Sequence, residues 1–205
     1  MTLTLYDAVQ SPNCQRVHLA LHEKGLSYER VRLNLGKKEQ KRSEFVRLNP
    51  YGRVPVLIDD DLILYESCII NEYLDSNYPD PPLSQEDPAL VAQGRLLIDY
   101  ALNFLQEYYW PLRAEMRKPQ GERNLEVVQQ NRQMIIEKLD RLEKALGDKP
   151  YFLRNFGLTD IGLWPRLSRI EEYGALESPK VAGLKQWLRR MSLRPSVQSV
   201  LQDRE

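Results

Sequence analysis

Hydrophobic positions follow two regimes along the chain. In the first regime, short strand-like runs alternate with helical patches. Thr2 to Tyr6 reads as a strand. Cys14 to Lys24 reads as a helix, with Val17, Leu19, Ala20 and Leu21 as its apolar positions and Gly25 as its stop. Tyr28 to Leu33 sets Tyr28, Val31 and Leu33 among charges and predicts a second strand. Lys41 to Leu48 predicts a short helix. Val54 to Ile58 is a compact apolar run, Asp59-Asp60-Asp61 a turn and Leu62 to Tyr65 a further strand, which together read as a hairpin. Glu66 to Asn77 is a helix with Ile69, Ile70, Tyr73 and Leu74 on one side. The order β-α-β-α-β-β-α is an α/β arrangement.

Tyr78-Pro79-Asp80-Pro81-Pro82 then interrupts the pattern. Prolines at this density break helix and stiffen the chain. Residues 78–84 are therefore expected to link a domain over 1–77 to a second over 85–205. The second regime is purely helical. Leu90, Leu97, Ala101, Leu105, Tyr108 and Leu112 recur at helical spacing. So do Val128, Asn131, Ile135, Leu139, Leu142 and Leu146, ending at Gly147. Ile161, Trp164, Leu167 and Ile170 mark a third helix, and Val181, Leu184, Leu188 and Met191 a fourth.

Charge narrows the function. Lysine plus arginine total 29 and aspartate plus glutamate total 29, so the formal net charge is zero. A general nucleic-acid or anionic-membrane binder carries a basic excess, which this chain lacks. No apolar run is long enough for a bilayer, and Met1 to Tyr6 lacks the pattern of a signal peptide. The two cysteines, Cys14 and Cys68, match no zinc or redox spacing. A reducing, cytoplasmic setting is expected.

Three local sequences carry candidate chemistry. In Asn49-Pro50-Tyr51-Gly52-Arg53-Val54-Pro55-Val56-Leu57, a proline opens a strand, where it cannot donate a ladder hydrogen bond. With a cis Val54-Pro55 bond the chain would turn sharply and aim the Val54 backbone into a cleft, where a peptide could pair with it. The segment also fits an ordinary loop entering a strand. Glu66-Ser67 opens a helix, whose free N–H groups suit a carboxylate. The Ser67 hydroxyl could add a hydrogen bond to that carboxylate, and Glu66 could accept from an ammonium on the same ligand. Taken alone, the pair reads first as simple capping by Ser67 with Glu66 beside it. Ser11-Pro12-Asn13-Cys14-Gln15-Arg16-Val17 lies between the first strand and the first helix. A serine hydroxyl there could donate to a thiolate, or could cap the helix ahead of Pro12.

At these separations Ser11, Asn49-Pro50, Val54-Pro55 and Glu66-Ser67 resemble the cytosolic glutathione transferases. Phe156-Gly157-Leu158-Thr159-Asp160-Ile161 is similar to that family's buried helix-start motif, with Gly157 where serine or threonine is usual. The resemblance implies a thioredoxin-like α/β N-terminal domain followed by an all-α helical domain. It implies glutathione as co-substrate, with the Val54 backbone behind a cis Pro55 pairing with the cysteinyl part. Glu66 and Ser67 would bind the γ-glutamyl end. Arg53, or one of Lys37, Lys38 and Lys41, would meet the glycyl carboxylate. Ser11 would stabilise the thiolate that attacks a small apolar electrophile, without covalent catalysis by the protein. The second substrate would lie near Tyr108, Trp110 and Arg113, although those side chains read first as core rather than surface. A homodimer is implied, with Asp99 either reaching the neighbour's glutathione or facing solvent.

Ser11-Pro12 occupies what resembles the Cys-Pro position of cysteine-type relatives, which argues against thiol transferase chemistry. Cys14, one turn into the helix, reads either as a reactive thiol or as a packed one. A competing resemblance is to stringent starvation protein A. It is carried by Leu64-Tyr65-Glu66-Ser67 through Asp75, by Tyr78-Pro79-Asp80-Pro81-Pro82-Leu83 and by Lys149 to Leu153. That branch implies an RNA polymerase-associated protein without ordinary transferase activity. Its linker carries histidine where this chain has Asp80. A lesser resemblance is to maleylacetoacetate isomerase, whose first loop is richer in serine and cysteine. Cys14, His18 and His22 are four apart, but the outer pair are roughly 12 Å apart at the helical rise, so no metal site is expected. The basic cluster from Lys37 to Arg42 reads as a solvated loop.

Overall fold

The structure, a computed structural model, describes residues 3–203. Thr2, assigned to the first strand by its pattern, lies outside the described residues, as do 204 and 205 at the end of the expected helical stretch. The chain divides into two compact units: one runs to Ser84 and takes back the chain from Arg194 onward, and the other is Gln85–Leu193.

The first unit runs β1 (Leu3–Asp7), α1 (Pro12–Glu23), β2 (Tyr28–Arg32), α2 (Ser43–Leu48), β3 (Val56–Asp59), β4 (Leu62–Tyr65) and α3 (Ser67–Asn77). A 3₁₀ turn at Glu39–Lys41 takes the start of the expected short helix. The sheet order is β2-β1-β3-β4, with β1 parallel to β2 and the other pairings antiparallel. This is the thioredoxin-like arrangement. Leu5 pairs with Leu57 across β1 and β3, and both are fully buried. Each such leucine contributes about 2 kcal/mol of burial. α1 starts at Pro12 under the Ser11 cap, and after Gly25 at φ +63° the Leu26 N–H closes back on the Leu21 C=O at 3.0 Å. It packs on α3, where Ile70 and Leu74 are buried. A separate apolar cluster joins Ala8, Cys14, Phe45, Val54 and Val56, so Val54 and the start of α1 are fixed by the same packing.

In the second unit, α4 (Pro88–Asp99) leads through a π-helical turn at Tyr100–Phe104 into α5 (Gln106–Met116), followed by α6 (Leu125–Leu146), α7 (Leu158–Glu172) and α8 (Ala182–Ser192). α6 buries Val128, Ile135, Leu139, Leu142 and Leu146 as its spacing predicts. α4 crosses close to α7 because Gly94 has no side chain: a Cβ there would lie 2.2 Å from Thr159 Oγ1. Asp160 in the first turn of α7 accepts from Gly157 N, so glycine at the cap leaves half of a capping box intact.

The helical domain expected over 85–205 does not all fall in one unit. α9 (Pro195–Gln202) packs on α1 and belongs to the first unit. Charge explains why. Glu23 accepts from Arg194 Nε at 2.8 Å and Nη2 at 2.7 Å, a bidentate pair. Asp203 pairs with Arg30, which also binds the fully buried Asp7 at 2.6 Å. Burial alone would raise Asp7, but His18 and Arg30 together hold its carboxyl below the usual carboxylate range.

Candidate functional site

Three turns of the first unit converge on one cleft. Its walls are Asn13, Asn49, Arg53, Val54, Pro55, Glu66 and Ser67, around a cavity of about 30 Å³. Arg53, Val54, Pro55, Glu66 and Ser67 are thus brought together from two separate motifs.

The first wall is built by the loop before β3. Asn49 donates from Nδ2 to Arg53 C=O at 2.6 Å and accepts the Tyr51 N–H at 3.0 Å, closing the loop on itself. Gly52 stands at φ +57°, where a Cβ would meet the Gln40 carbonyl at 2.9 Å, so glycine is required. The Val54-Pro55 peptide is cis. The β1–β3 register ends at Tyr6 and Val56, and the β3–β4 register ends at Val56 and Tyr65. Val54 therefore lies two residues beyond the sheet's own pairing, where a ligand backbone could add as a strand.

The second wall is the start of α3. Glu66 sits at its N-cap with φ +69°, a region that a non-glycine residue enters at a cost of about 1–3 kcal/mol. Its side chain makes no cap hydrogen bond, and it is exposed at the cleft. Ser67 is buried, and its Oγ accepts from Arg16 Nη1 at 2.7 Å. The hydroxyl proton is left to donate elsewhere. Simple capping by Ser67 is not what forms, because Glu66 takes the cap position.

Ser11 does not line this cleft but caps α1, whose first turn supplies Asn13. Its Oγ accepts the Cys14 N–H at a long 3.4 Å. Cys14 itself is completely buried, and its Sγ accepts from Ala8 N at 3.4 Å. Burial pushes the Cys14 thiol up to about 12, against hydrogen bonds from Ser11 and Ala8 that lower it. It is a packed, neutral thiol. Among the basic candidates, Arg53 lines the cleft, while Lys41 donates to Tyr51 C=O at 3.0 Å. Lys37 and Lys38 are exposed and do not line it.

In the second unit the expected core face is corrected. Trp110 is 46 % exposed with Arg113 stacked 5.1 Å from its ring, Tyr108 is half-buried, and the neighbouring Tyr109 is the buried tyrosine. Leu105, Tyr109 and Leu112, four and three residues apart, share the buried face, which passes over Tyr108 and Trp110. Asp99 is exposed and accepts from Asn103 Nδ2 at 2.7 Å. His18 is held between Asp7 and Tyr28, and His22 faces Ser199.

Comparison with known proteins fits this geometry. Residues 1–76 match the family model for the glutathione S-transferase N-terminal domain. A theta class glutathione S-transferase from the citrus canker pathogen Xanthomonas axonopodis pv. citri, solved with glutathione bound, aligns at TM-score 0.84 and 27% identity over 97% of this chain and 96% of that one. A stringent starvation protein A homolog of Haemophilus influenzae is 34% identical over 173 residues, 84% of this chain and 76% of that protein. The chain belongs to the glutathione S-transferase family. Within the family it also resembles glutathione S-transferase Z2 of Arabidopsis thaliana, 45% identical over 85 residues, 42% of this chain and 38% of that protein.

For this family member, sequence reading missed three residues at the site: Asn13, Asn49 and Arg16. Asn13 stood inside a motif singled out for Ser11, and Asn49 was named with Pro50 for the resemblance but given no role at the site. Arg16 carried a usable signal, a charge set between Cys14 and Val17 on the apolar part of α1.

Proposed function

We propose that this protein binds glutathione in the cleft between Val54 and Ser67 and conjugates its thiolate to a small electrophile. One observation carries the reading. The cleft offers an unpaired strand position at Val54, an exposed carboxylate at Glu66 and a donor hydroxyl at Ser67. That set matches a peptide backbone followed by an amino-acid zwitterion. Arg53 on the same wall would meet the far carboxylate.

The chemistry asks little of the protein. The glutathione thiol gives its proton to solvent, and the thiolate accepts a hydrogen bond from Ser11. The thiolate then forms a carbon–sulfur bond while the leaving group departs with its electron pair. Cys14 is too buried to serve as the nucleophile. The second substrate, a homodimeric assembly and a cytoplasmic setting follow from the family resemblance. So does a role for Asp99 toward a neighbouring copy.

Calorimetric titration with glutathione, followed by turnover of a chloroaromatic electrophile, tests the reading. Binding with turnover that falls in Ser11→Ala supports it; absence of both binding and turnover overturns it. The extended match to a stringent starvation protein A homolog favours a second reading, a non-catalytic RNA polymerase-associated protein. Binding without turnover, with RNA polymerase retained in a pull-down, would select that one.

A further inference from the structure

Arg16 is 1 % exposed, yet it lies directly behind the cleft. Its Nη1 donates to Ser67 Oγ at 2.7 Å and to Asn13 Oδ1 at 3.0 Å. Both partners line the cleft, and they come from different helices, α1 and α3. The Arg16 carbonyl accepts from Asn71 Nδ2 at 3.0 Å, which fixes the arginine's own turn against α3.

Donor and acceptor counting gives this arrangement a direction. A guanidinium only donates. Ser67 Oγ must therefore accept from it, and the serine's single proton has to point to another acceptor. Asn13 Oδ1 must likewise accept, so its amide NH₂ is what remains to face the cleft. One buried cation thus converts two ambivalent side chains into donors. It also places positive charge in a low-dielectric position behind them, where charge acts with little screening. The first turn of α3 adds uncapped N–H groups on the same side, since Glu66 makes no cap bond.

We propose that Arg16 is the positioning residue for the α-carboxylate of a γ-glutamyl ligand, acting through Ser67 and Asn13 without touching the ligand. This rests on the glutathione-binding reading above. It keeps the polarity expected from the sequence, carboxylate at Ser67 and ammonium toward Glu66, and adds Asn13 to the carboxylate side with Arg16 behind both.

The test compares glutathione with its analogue lacking the α-carboxylate, γ-aminobutyryl-cysteinyl-glycine. Affinities are measured by calorimetry on the full chain for wild type, Arg16→Met, Arg16→Lys and Asn13→Ala. Arg16→Met should weaken glutathione binding about tenfold or more, while affinity for the analogue stays within about twofold. Arg16→Lys keeps the charge but loses the fork, and should fall between. Asn13 is exposed, so Asn13→Ala is expected to fold even where Arg16→Met does not. It should show the same selective loss at smaller size. A general structural role would weaken both ligands equally, and that equal loss in Asn13→Ala or either Arg16 variant overturns the proposal. If wild type binds glutathione and no variant discriminates, the inference fails while the glutathione reading stands. If wild type binds neither ligand, both fail.

Discussion

Trp187 on α8 donates its indole N–H to Asp160 in the first turn of α7 at 2.8 Å. The same carboxylate accepts from Phe152 N and Gly157 N. Burial pushes the Asp160 carboxyl up to about 6, although these donors pull the other way. An acid raised in the folded state holds its proton more tightly when folded. Its contribution to stability is therefore largest below about pH 4 and declines as pH rises through 6. Asp160→Asn cannot titrate. Between about pH 4 and 7, wild type should lose on the order of 3 kcal/mol relative to Asp160→Asn in denaturant unfolding. A difference that stays flat across that window would refute the assignment. Asp160→Ala, which orphans all three donors, should cost about 2–4 kcal/mol near pH 7 and correspondingly more toward pH 4, where the wild-type carboxyl is protonated.

Lys24 ties residues 78–84 to the first unit. Its Nζ pairs with Asp75 at 2.7 Å and donates to Tyr78 C=O at 2.7 Å and Pro81 C=O at 2.8 Å. Asp75 in turn accepts from Leu83 N and Ser84 N at 2.8 Å each. The Lys24 side chain is fully buried, so removing it leaves a carboxylate without its countercharge. Lys24→Met should cost about 3–5 kcal/mol and make the segment cleavable by protease under native conditions. Burial raises Asp75, yet Lys24 and Ser84 hold it below the usual range. Its stabilising contribution is present above about pH 4 and lost as pH falls through the folded value. Unchanged proteolysis in Lys24→Met would show that the prolines alone order the segment.

Glu66 combines backbone strain with a proposed ligand contact, and the two are separable. At φ +69° glycine is the relaxed residue. Glu66→Gly should leave thermal stability unchanged or raise it by roughly 1 kcal/mol. The same change should weaken glutathione binding about tenfold, because the ammonium loses its carboxylate. Retained affinity in Glu66→Gly would remove Glu66 from the site.

Much of this was legible beforehand because periodicity reports burial directly. β4 begins and ends at the residues its pattern marks, and Ile161, Trp164, Leu167 and Ile170 of α7, which helical spacing selects, are all buried. Val54, Pro55, Glu66 and Ser67 were legible for a different reason: each sits where the backbone departs from regular structure, and such departures need particular residues. The exposed Trp110 was not legible, because Leu105, Tyr109 and Leu112 fill the buried face at helical spacing as readily as the run through Tyr108 does, and residue type does not tell adjacent aromatics apart. Nor was the return of α9, which depends on Glu23 meeting Arg194 across 171 residues of sequence. Arg16 was visible as a charge in an apolar stretch, but its meaning came only from the distance to Ser67.

Ser11 has one proton and two places to send it. Its Oγ accepts from Cys14 N at 3.4 Å, so the cap uses a lone pair and leaves the proton available. The Cys14 Sγ is one acceptor, and its thiol is pushed up to about 12 by burial, so it stays neutral and accepts weakly. A glutathione thiolate would be the stronger acceptor and would take the hydrogen bond. Ser11→Ala should therefore raise the apparent pKa of bound glutathione's thiol by about 1–2 pH units, read from the ultraviolet absorbance of the thiolate. Turnover at neutral pH should fall on the order of a hundredfold. Stability should fall by less than about 1 kcal/mol, since the cap bond lost is long. Cys14→Ala should do the reverse: a cavity in a packed cluster costs about 1–2 kcal/mol, while the thiol's ionisation stays put. If Cys14→Ala shifts the ionisation and Ser11→Ala does not, the hydroxyl is only a cap and thiolate stabilisation has to come from elsewhere in the cleft.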